Sequence, residues 1–286
     1  MSKKIITNKQ NTILILLLTF RFLNSKQIQQ FLNHKDHRRI NGWLKDLTEK
    51  EYIERDFKPI YGILTKPAIY FLSQKGRQYV RDSHFDVSSK YLGRLREDKK
   101  RSKAFRTKCQ LVADLYLAHY PSKVSEFLED LEGYLKDGII FEDNKPQFFT
   151  PAFYEVLEEL IPILKLKPDA YMYQKYEDGI VHSAFYVLDA YVPRLMLQYF
   201  LKNIFTTLND EYWEEDTIHS LQIYVLCPNN MVIIYLRRLL KSFLEKYYGS
   251  KELIFHFATR NQIAKRIKTK SGKTGWINIS SRDEID

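Results

Sequence analysis

Cysteine is nearly absent from the 286 residues: Cys109 and Cys227 stand far apart without CxxC spacing. That excludes a disulfide framework and a cysteine zinc site, and it fits a reducing compartment. No His-X-His pair occurs among the seven histidines, and His34 and His37 have no further ligands nearby in sequence. A histidine-paired metal feeding a tyrosine nucleophile is therefore missing, and Tyr247 and Tyr248 read as helix packing. No Ser/His/Asp elbow or glycine-rich dinucleotide loop is present. Ser271-Gly272-Lys273-Thr274 imitates the end of a Walker A loop, but Ile267 occupies the position of its first glycine and no strand precedes it, so a basic turn is expected. The apolar stretch 13–20 follows Lys3, Lys4 and Lys9 as in a signal peptide, yet no small-residue cleavage site follows and polar residues resume at Arg21. It is also too short to span a bilayer. It reads as a buried helix, and a cytoplasmic protein with no membrane partner is expected.

What is present is charge, unevenly placed. Residues 1–110 carry 25 Lys and Arg against 10 Asp and Glu, whereas residues 111–286 carry 20 against 25. The net charge of +10 is thus an N-terminal property. Basic charge confined to one region is the footprint of phosphate-backbone binding, because neutralising phosphates releases condensed counterions. A solvated lysine-rich face is the plain alternative. The length allows two domains, each with its own core.

Along the N-terminal part, residues 13–23 are dense enough in apolar side chains for a first core helix. Asn24-Ser25 then supplies a capping signal for a second helix through Gln27, Ile28 and Phe31, ended by Asn33-His34. After Asp36, residues Ile40, Trp43, Leu44 and Leu47 recur at helical spacing. That pattern leaves Arg38, Arg39, Asn41 and Lys45 for the other face, with Lys35 just before the helix. Two β-prone runs follow, 52–57 and 68–72, joined by a loop containing Lys66. Helix, helix, basic helix and hairpin is the helix-turn-helix plan with a wing, in which the third helix enters the major groove and the hairpin lies along the backbone. A winged helix can also serve protein contacts. Residues 86–108 include Arg94, Lys100 and Arg101 among nine basic side chains, suited to a linker or a helix lying against DNA, or to a solvated charged linker. The expected domains are a winged helix over 1–85, a basic helical linker over 86–120 and an α/β domain over 121–280.

Helices are expected over 110–119 and 122–135, and a loop over 137–152. Beyond them, short apolar runs at 170–173, 184–189, 221–227 and 253–257 alternate with helical stretches at 194–208 and 231–248, which suggests an α/β domain with helices layered on a sheet. The tail after Ile279 is expected to fray. Pro168-Asp169 opens one strand, Glu177-Asp178-Gly179 makes a turn, and the next strand ends at Asp189. Two acids side by side on adjacent strands can hold Mg²⁺ or Mn²⁺, which polarises a phosphodiester and activates water. This is the PD-(D/E)XK nuclease spacing, giving Asp169 and Asp189 as candidate metal ligands and catalytic residues. The lysine expected two residues after Asp189 is Tyr191; Lys202 on the following helix is the candidate replacement. An Asp at a strand edge is also commonly a solvated cap.

Taken together, Leu72-Ser-Gln-Lys-Gly76-Arg77, Leu166-Lys-Pro168-Asp169-Ala170, Phe185-Tyr-Val-Leu-Asp189, Val225-Leu-Cys-Pro228 and Phe257-Ala-Thr-Arg260 resemble the replication-relaxation family, which overlaps the MobC-type relaxases. The resemblance covers most of the chain and is weakest over 120–160. It implies a winged helix joined to a restriction-endonuclease-like domain, used in replication or mobilisation of mobile DNA. Members that cut are expected to carry an acid followed two residues later by an acid or lysine. Here either Asp189 is followed by Tyr191 or Val187 precedes Asp189, so one polar group is lost in either register.

Three readings follow. The first is a double-stranded-DNA-binding protein of a mobile element with a degenerate nuclease core. The second is a relaxase-like Mg²⁺ or Mn²⁺ endonuclease. The third is a dimerising regulator or scaffold that docks other replication or transfer proteins.

Overall fold

The computed structural model describes residues 6–57, 67–83, 87–119, 124–158, 161–177, 179–208, 218–246, 252–269 and 276–280. The fold is mixed α+β, with eleven α-helices and two sheets among the described residues. The chain divides into two compact units, Met1–Ile140 and Phe141–Asp286.

The first unit is built around α1 (Asn8–Phe20), opened by a capping box between Thr7 and Gln10. Six consecutive residues of α1, Ile13 to Leu18, are buried. A helix apolar on all sides needs neighbours on all sides, and α3, α4, α6 and α7, introduced below, all contact it. Arg21 ends α1 with φ 66° and returns its backbone N–H to Leu17. The chain then extends as a two-residue strand, β1 (Leu23–Asn24), where the sequence suggested only the end of a helix. Two residues are too few to show an alternating pattern.

Asn24 caps α2 (Ser25–Phe31) in a box with Gln27, and Asp36 caps α3 (His37–Glu49). The strands β2 (Ile53–Asp56) and β3 (Ile69–Leu72) follow, and the sheet has the antiparallel order β1-β3-β2. The loop carrying Lys66 lies outside the described residues.

Ser73 caps α4 (Gln74–Asp82). Gly76 is required there: a Cβ on it would stand 2.0 Å from the Tyr52 carbonyl oxygen. Residues expected to form a basic linker are α5 (Ser89–Leu95), a 3₁₀ turn (Asp98–Lys100) and α6 (Lys103–His119), all within the first unit. Two observations bind them to the core. The buried Tyr91 hydroxyl donates to the Leu18 carbonyl at 2.8 Å, and α6 buries Val112, Ala113, Leu115, Tyr116, Leu117 and Ala118. Phe127 of α7 (Val124–Asp137) stacks on Tyr116 at 4.0 Å and reaches Phe20 and Phe31.

In the second unit, β4 (Gln147–Phe149) is a fully buried strand inside a stretch expected to be loop. Three residues between polar segments give too short a periodic signal, and pairing with the next strand is what makes it one. After α8 (Tyr154–Leu157) and a 3₁₀ turn (Pro162–Leu166) come β5 (Ala170–Tyr176), β6 (Gly179–Val187), α9 (Arg194–Leu208), β7 (Ile218–Cys227), α10 (Asn230–Leu244), β8 (Glu252–Thr259), α11 (Arg260–Thr269) and β9 (Ile277–Ser280). The sheet runs β4-β5-β6-β7-β8-β9. β6, β7 and β8 are parallel and the other pairings antiparallel. Parallel neighbours need helical crossovers. The two here, α9 and α10, pack on one sheet face, where Phe205 stacks on Phe243 at 5.3 Å and on Phe255 at 6.1 Å. Among the described residues, no helix is long and apolar enough to cross a membrane.

Candidate nucleic-acid interface

α3 has two sharply different faces. Ile40, Leu44 and Leu47 are fully buried, while His37, Arg38, Arg39, Asn41, Gly42, Lys45 and Glu49 are exposed. Trp43, expected in the buried stripe, is half-buried and meets the His34 ring edge-on at 5.2 Å. The helix is held from beneath. Asp46 accepts from Gln10 of α1 at 2.5 Å and pairs with Lys50 at 2.6 Å, and the Asp36 carboxylate takes the Arg38 backbone N–H at 2.8 Å. These contacts fix the helix without using its outer cations.

Arg38 and Arg39 have no ion-pair partner among the described residues. Lys45 faces Glu49 at 3.7 Å with both ends solvated, a pair worth only about 0.5 kcal/mol. Asn41 lies 3.3 Å from the His37 ring. Lys35 is exposed. Lys66 falls outside the described residues.

The basic stretch behind the sheet is more committed. Lys100 pairs with Glu97 at 3.7 Å and Lys99 with Glu54 at 3.0 Å. Arg101 is half-buried and lies over the Phe105 ring at 5.1 Å. Arg94 is exposed. Sequence reasoning missed two arginines that hold this region together. Arg106 pairs with Asp56 and donates to the Lys99 carbonyl at 2.8 Å, and Arg21 pairs with the buried Asp98. Separations of 50 and 77 positions leave no local signal for such pairs.

The candidate metal residues of the second unit lie at the carboxyl end of β6. Asp169 sits just before β5. Its backbone N–H donates to the Phe185 carbonyl at 2.8 Å, and its carboxylate accepts the Val187 N–H at 2.8 Å. That carboxylate therefore ties β5 to β6. Tyr154 and Tyr186 surround it. Burial raises the pKa of both phenols, and the Asp169 charge raises it further. The Tyr186 hydroxyl donates to the Leu166 carbonyl at 3.3 Å, and the buried Tyr154 hydroxyl has no hydrogen-bond partner among the described residues.

Asp189 is exposed two residues beyond β6, beside a Tyr191 that is 85% exposed. Arg260, at the start of α11, donates to the Leu188 carbonyl at 2.6 Å. Burial lowers its pKa and the nearby Asp189 opposes that shift. Lys202 is exposed on α9. Among the described residues, no group of three or more His, Cys, Asp or Glu side chains could hold a metal ion. Asp169 gives one carboxylate oxygen to the Val187 N–H, Asp189 is exposed, and the position two residues beyond Asp189 holds Tyr191 in place of a lysine.

A family model described as replication-relaxation matches residues 14–187. The chain belongs to the replication-relaxation family. The replication-relaxation match starts inside α1 and stops at the last residue of β6. It therefore takes in α2, α3, the small sheet and Asp169, but not Asp189, Lys202 or the strands β7 to β9. No curated protein matches the chain, and no solved structure does.

Proposed function

We propose that this replication-relaxation protein binds double-stranded DNA of a mobile genetic element, in plasmid replication, mobilisation or its regulation. The first unit acts as a winged helix, with α3 in the major groove and the β2–β3 hairpin as the wing. The second unit acts as a PD-(D/E)XK-like domain that no longer cuts, in the MobC-like branch of the family, and the protein works in the cytoplasm.

The observation that carries this reading is the outer face of α3. Arg38 and Arg39 have no ion-pair partner among the described residues, on a rigid helix between a turn and a three-stranded sheet. Arg and Asn on such a face can make bidentate contacts to guanine and adenine edges. Lys35, Lys45, Lys66, Arg94, Lys100 and Arg101 would meet phosphates, Lys100 and Lys45 after releasing weak surface pairs. A homodimer would set two reading helices on two half-sites, and other replication or transfer proteins would dock on the assembly.

The engaged Asp169 and the exposed Asp189 support a binding role over cutting. The alternative, a Mg²⁺- or Mn²⁺-dependent nicking enzyme using Asp169, Asp189 and Lys202, is separated by one experiment. Sheared host and element DNA is captured on the full chain and sequenced, and supercoiled plasmid carrying the captured site is incubated with and without metal. A binder retains the DNA and leaves the plasmid intact. R38A/R39A should weaken retention by about tenfold or more at low salt. Unchanged affinity removes α3 as the reading helix, and metal-dependent nicks favour the enzyme.

A further inference from the structure

The exposed cations of α3 are not the only arginines that converge in the first unit. Between α4 and α5 lies a cleft of about 460 Å³ lined by Gln74, Arg77, Gln78, Arg81, Leu92 and Arg96. Among its described lining residues three are arginine and none is acidic. Arg77 forms a fixed floor, its Nη1 donating to the Leu72 carbonyl at 3.2 Å and the Leu95 carbonyl at 3.3 Å. Arg96 closes α5 from the opposite side and is exposed. It has no ion-pair partner among the described residues.

Burial lowers the pKa of Arg77, Asp98 and Glu54 raise it, and Arg96 lowers it again, so the two guanidinium groups sense each other's charge. Arg81 stands one helical turn beyond Arg77. Its neighbour Asp82 is 3.5 Å away, but both oxygens of that carboxylate also accept from the Gln78 amide at 2.9 and 2.8 Å. Asp98 and Glu54 offset the Arg77 charge, and Arg81 and Arg96 bring further positive charge to the same concave surface. Guanidinium forks match phosphate oxygens better than any other side chain does.

The cleft is separate from the reading face. Gln74 and Gln78 also line a groove that runs to Thr48 and Glu51, at the far end of α3 from Arg38 and Arg39. At 1.5 Å rise per residue, Arg38 and Glu49 are about 17 Å apart along the helix. One phosphate cannot serve both places.

We propose that the α4–α5 cleft is a phosphate-binding site, supplied either by a nucleic-acid backbone outside the segment under α3 or by a free polyphosphate. In the first case it deepens the DNA-binding reading and rests on it; in the second it stands alone.

The test uses the full chain and R81A/R96A, which alters exposed side chains and spares Arg77. Anisotropy titrations use duplexes of about 12 and about 30 base pairs, roughly one and three helical turns, at several salt concentrations. On the longer duplex R81A/R96A should bind about tenfold more weakly. Its slope of log K against log salt should fall by close to 2, as expected for two lost phosphate contacts. On the shorter duplex it should match the wild type, whereas R38A/R39A should be weakened on both. A wild type that binds neither duplex ends the DNA reading without ending this one. Calorimetry with inorganic tripolyphosphate then decides: binding lost in R81A/R96A keeps the phosphate site and names the small-molecule source. R81A/R96A indistinguishable from wild type with both duplexes and tripolyphosphate overturns the proposal.

Discussion

The side-chain amide of Gln27 donates to the Asp114 carboxylate at 2.7 Å, and the same nitrogen reaches the Gln110 carbonyl at 2.8 Å. The oxygen of that amide accepts the Asn24 backbone N–H at 3.1 Å. One glutamine thus closes the capping box of α2 and fastens the helix-turn-helix segment to α6. The cost lies with its partner. Burial pushes the Asp114 carboxyl up to about 6, only partly offset by the Gln27 hydrogen bond.

A carboxyl raised from its ordinary value near 4 binds its proton more tightly in the folded state. Stability should therefore be highest below about pH 4 as far as this group is concerned, and fall as pH rises through 6. The whole change is roughly 3 kcal/mol at most. Asp114→Asn keeps an acceptor for Gln27 and removes the charge. It should raise stability at pH 7 by about 2 kcal/mol and flatten the profile between pH 4 and 6. Urea melts across that range decide the matter: a variant no more stable than wild type at pH 7 would mean that Asp114 is solvated.

Two helical glycines, Gly76 and Gly42, should behave oppositely. At Gly76 a methyl group would collide with the Tyr52 carbonyl, and a backbone atom cannot swing aside as a side-chain end can. Gly76→Ala should cost about 2 kcal/mol or more and loosen the junction of α4 with β2. At Gly42, exposed in α3, nothing lies within 4 Å of the added methyl. Gly42→Ala should stabilise by about 0.5–1 kcal/mol through helix propensity. Denaturant midpoints measured side by side test both. If DNA approaches α3 closely, Gly42→Ala should also weaken DNA binding while strengthening the fold.

These positions show what the sequence could and could not reveal. The buried stripe of α3 and the runs that became β5 to β8 were legible because apolar spacing and length are local properties. Gly76 was visible only as part of a family string, and its necessity comes from Tyr52, which lies 24 positions earlier. α6 was half concealed. Its first turns carry Lys103, Arg106 and Lys108 and read as linker, while burial begins only at Val112. β1 and β4, two and three residues long, exist because a partner strand lies beside them. At the candidate metal site, spacing alone put Asp169 and Asp189 at the ends of two neighbouring strands, and they stand one residue before β5 and two beyond β6. That the Asp169 carboxylate would turn onto the Val187 N–H could not be read from spacing, since hydrogen-bond direction is a tertiary property.

The same hydrogen bond sets a prediction about metal. Asp169→Asn retains an acceptor for the Val187 N–H and should leave the melting temperature nearly unchanged, whereas Asp169→Ala should destabilise by about 1–3 kcal/mol. For a carboxylate that serves structure, addition of Mg²⁺ or Mn²⁺ to wild type, or of a chelator, should not shift the melting curve. A metal-dependent rise that vanishes in Asp169→Asn would reassign Asp169 as a ligand.

Arg21 and Asp98 offer the sharpest test of how the basic stretch is held. The guanidinium, 12% exposed, meets both oxygens of a carboxylate that is 2% exposed, and lies over the Phe105 ring at 4.6 Å. It thereby joins the end of α1 to the 3₁₀ turn and to α6. Truncating one partner of a buried pair leaves the other charge uncompensated, so Arg21→Met should cost about 3–5 kcal/mol. A buried pair is no better than an apolar pair of similar volume, so R21M/D98L should recover a large part of that loss. The double-mutant cycle should return a coupling of about 3 kcal/mol or more, measured by urea denaturation. Additive losses would mean that the two side chains act independently. In that event α5 and α6 are held by their other contacts, among them Tyr91, Arg106, Gln27 and the apolar face of α6.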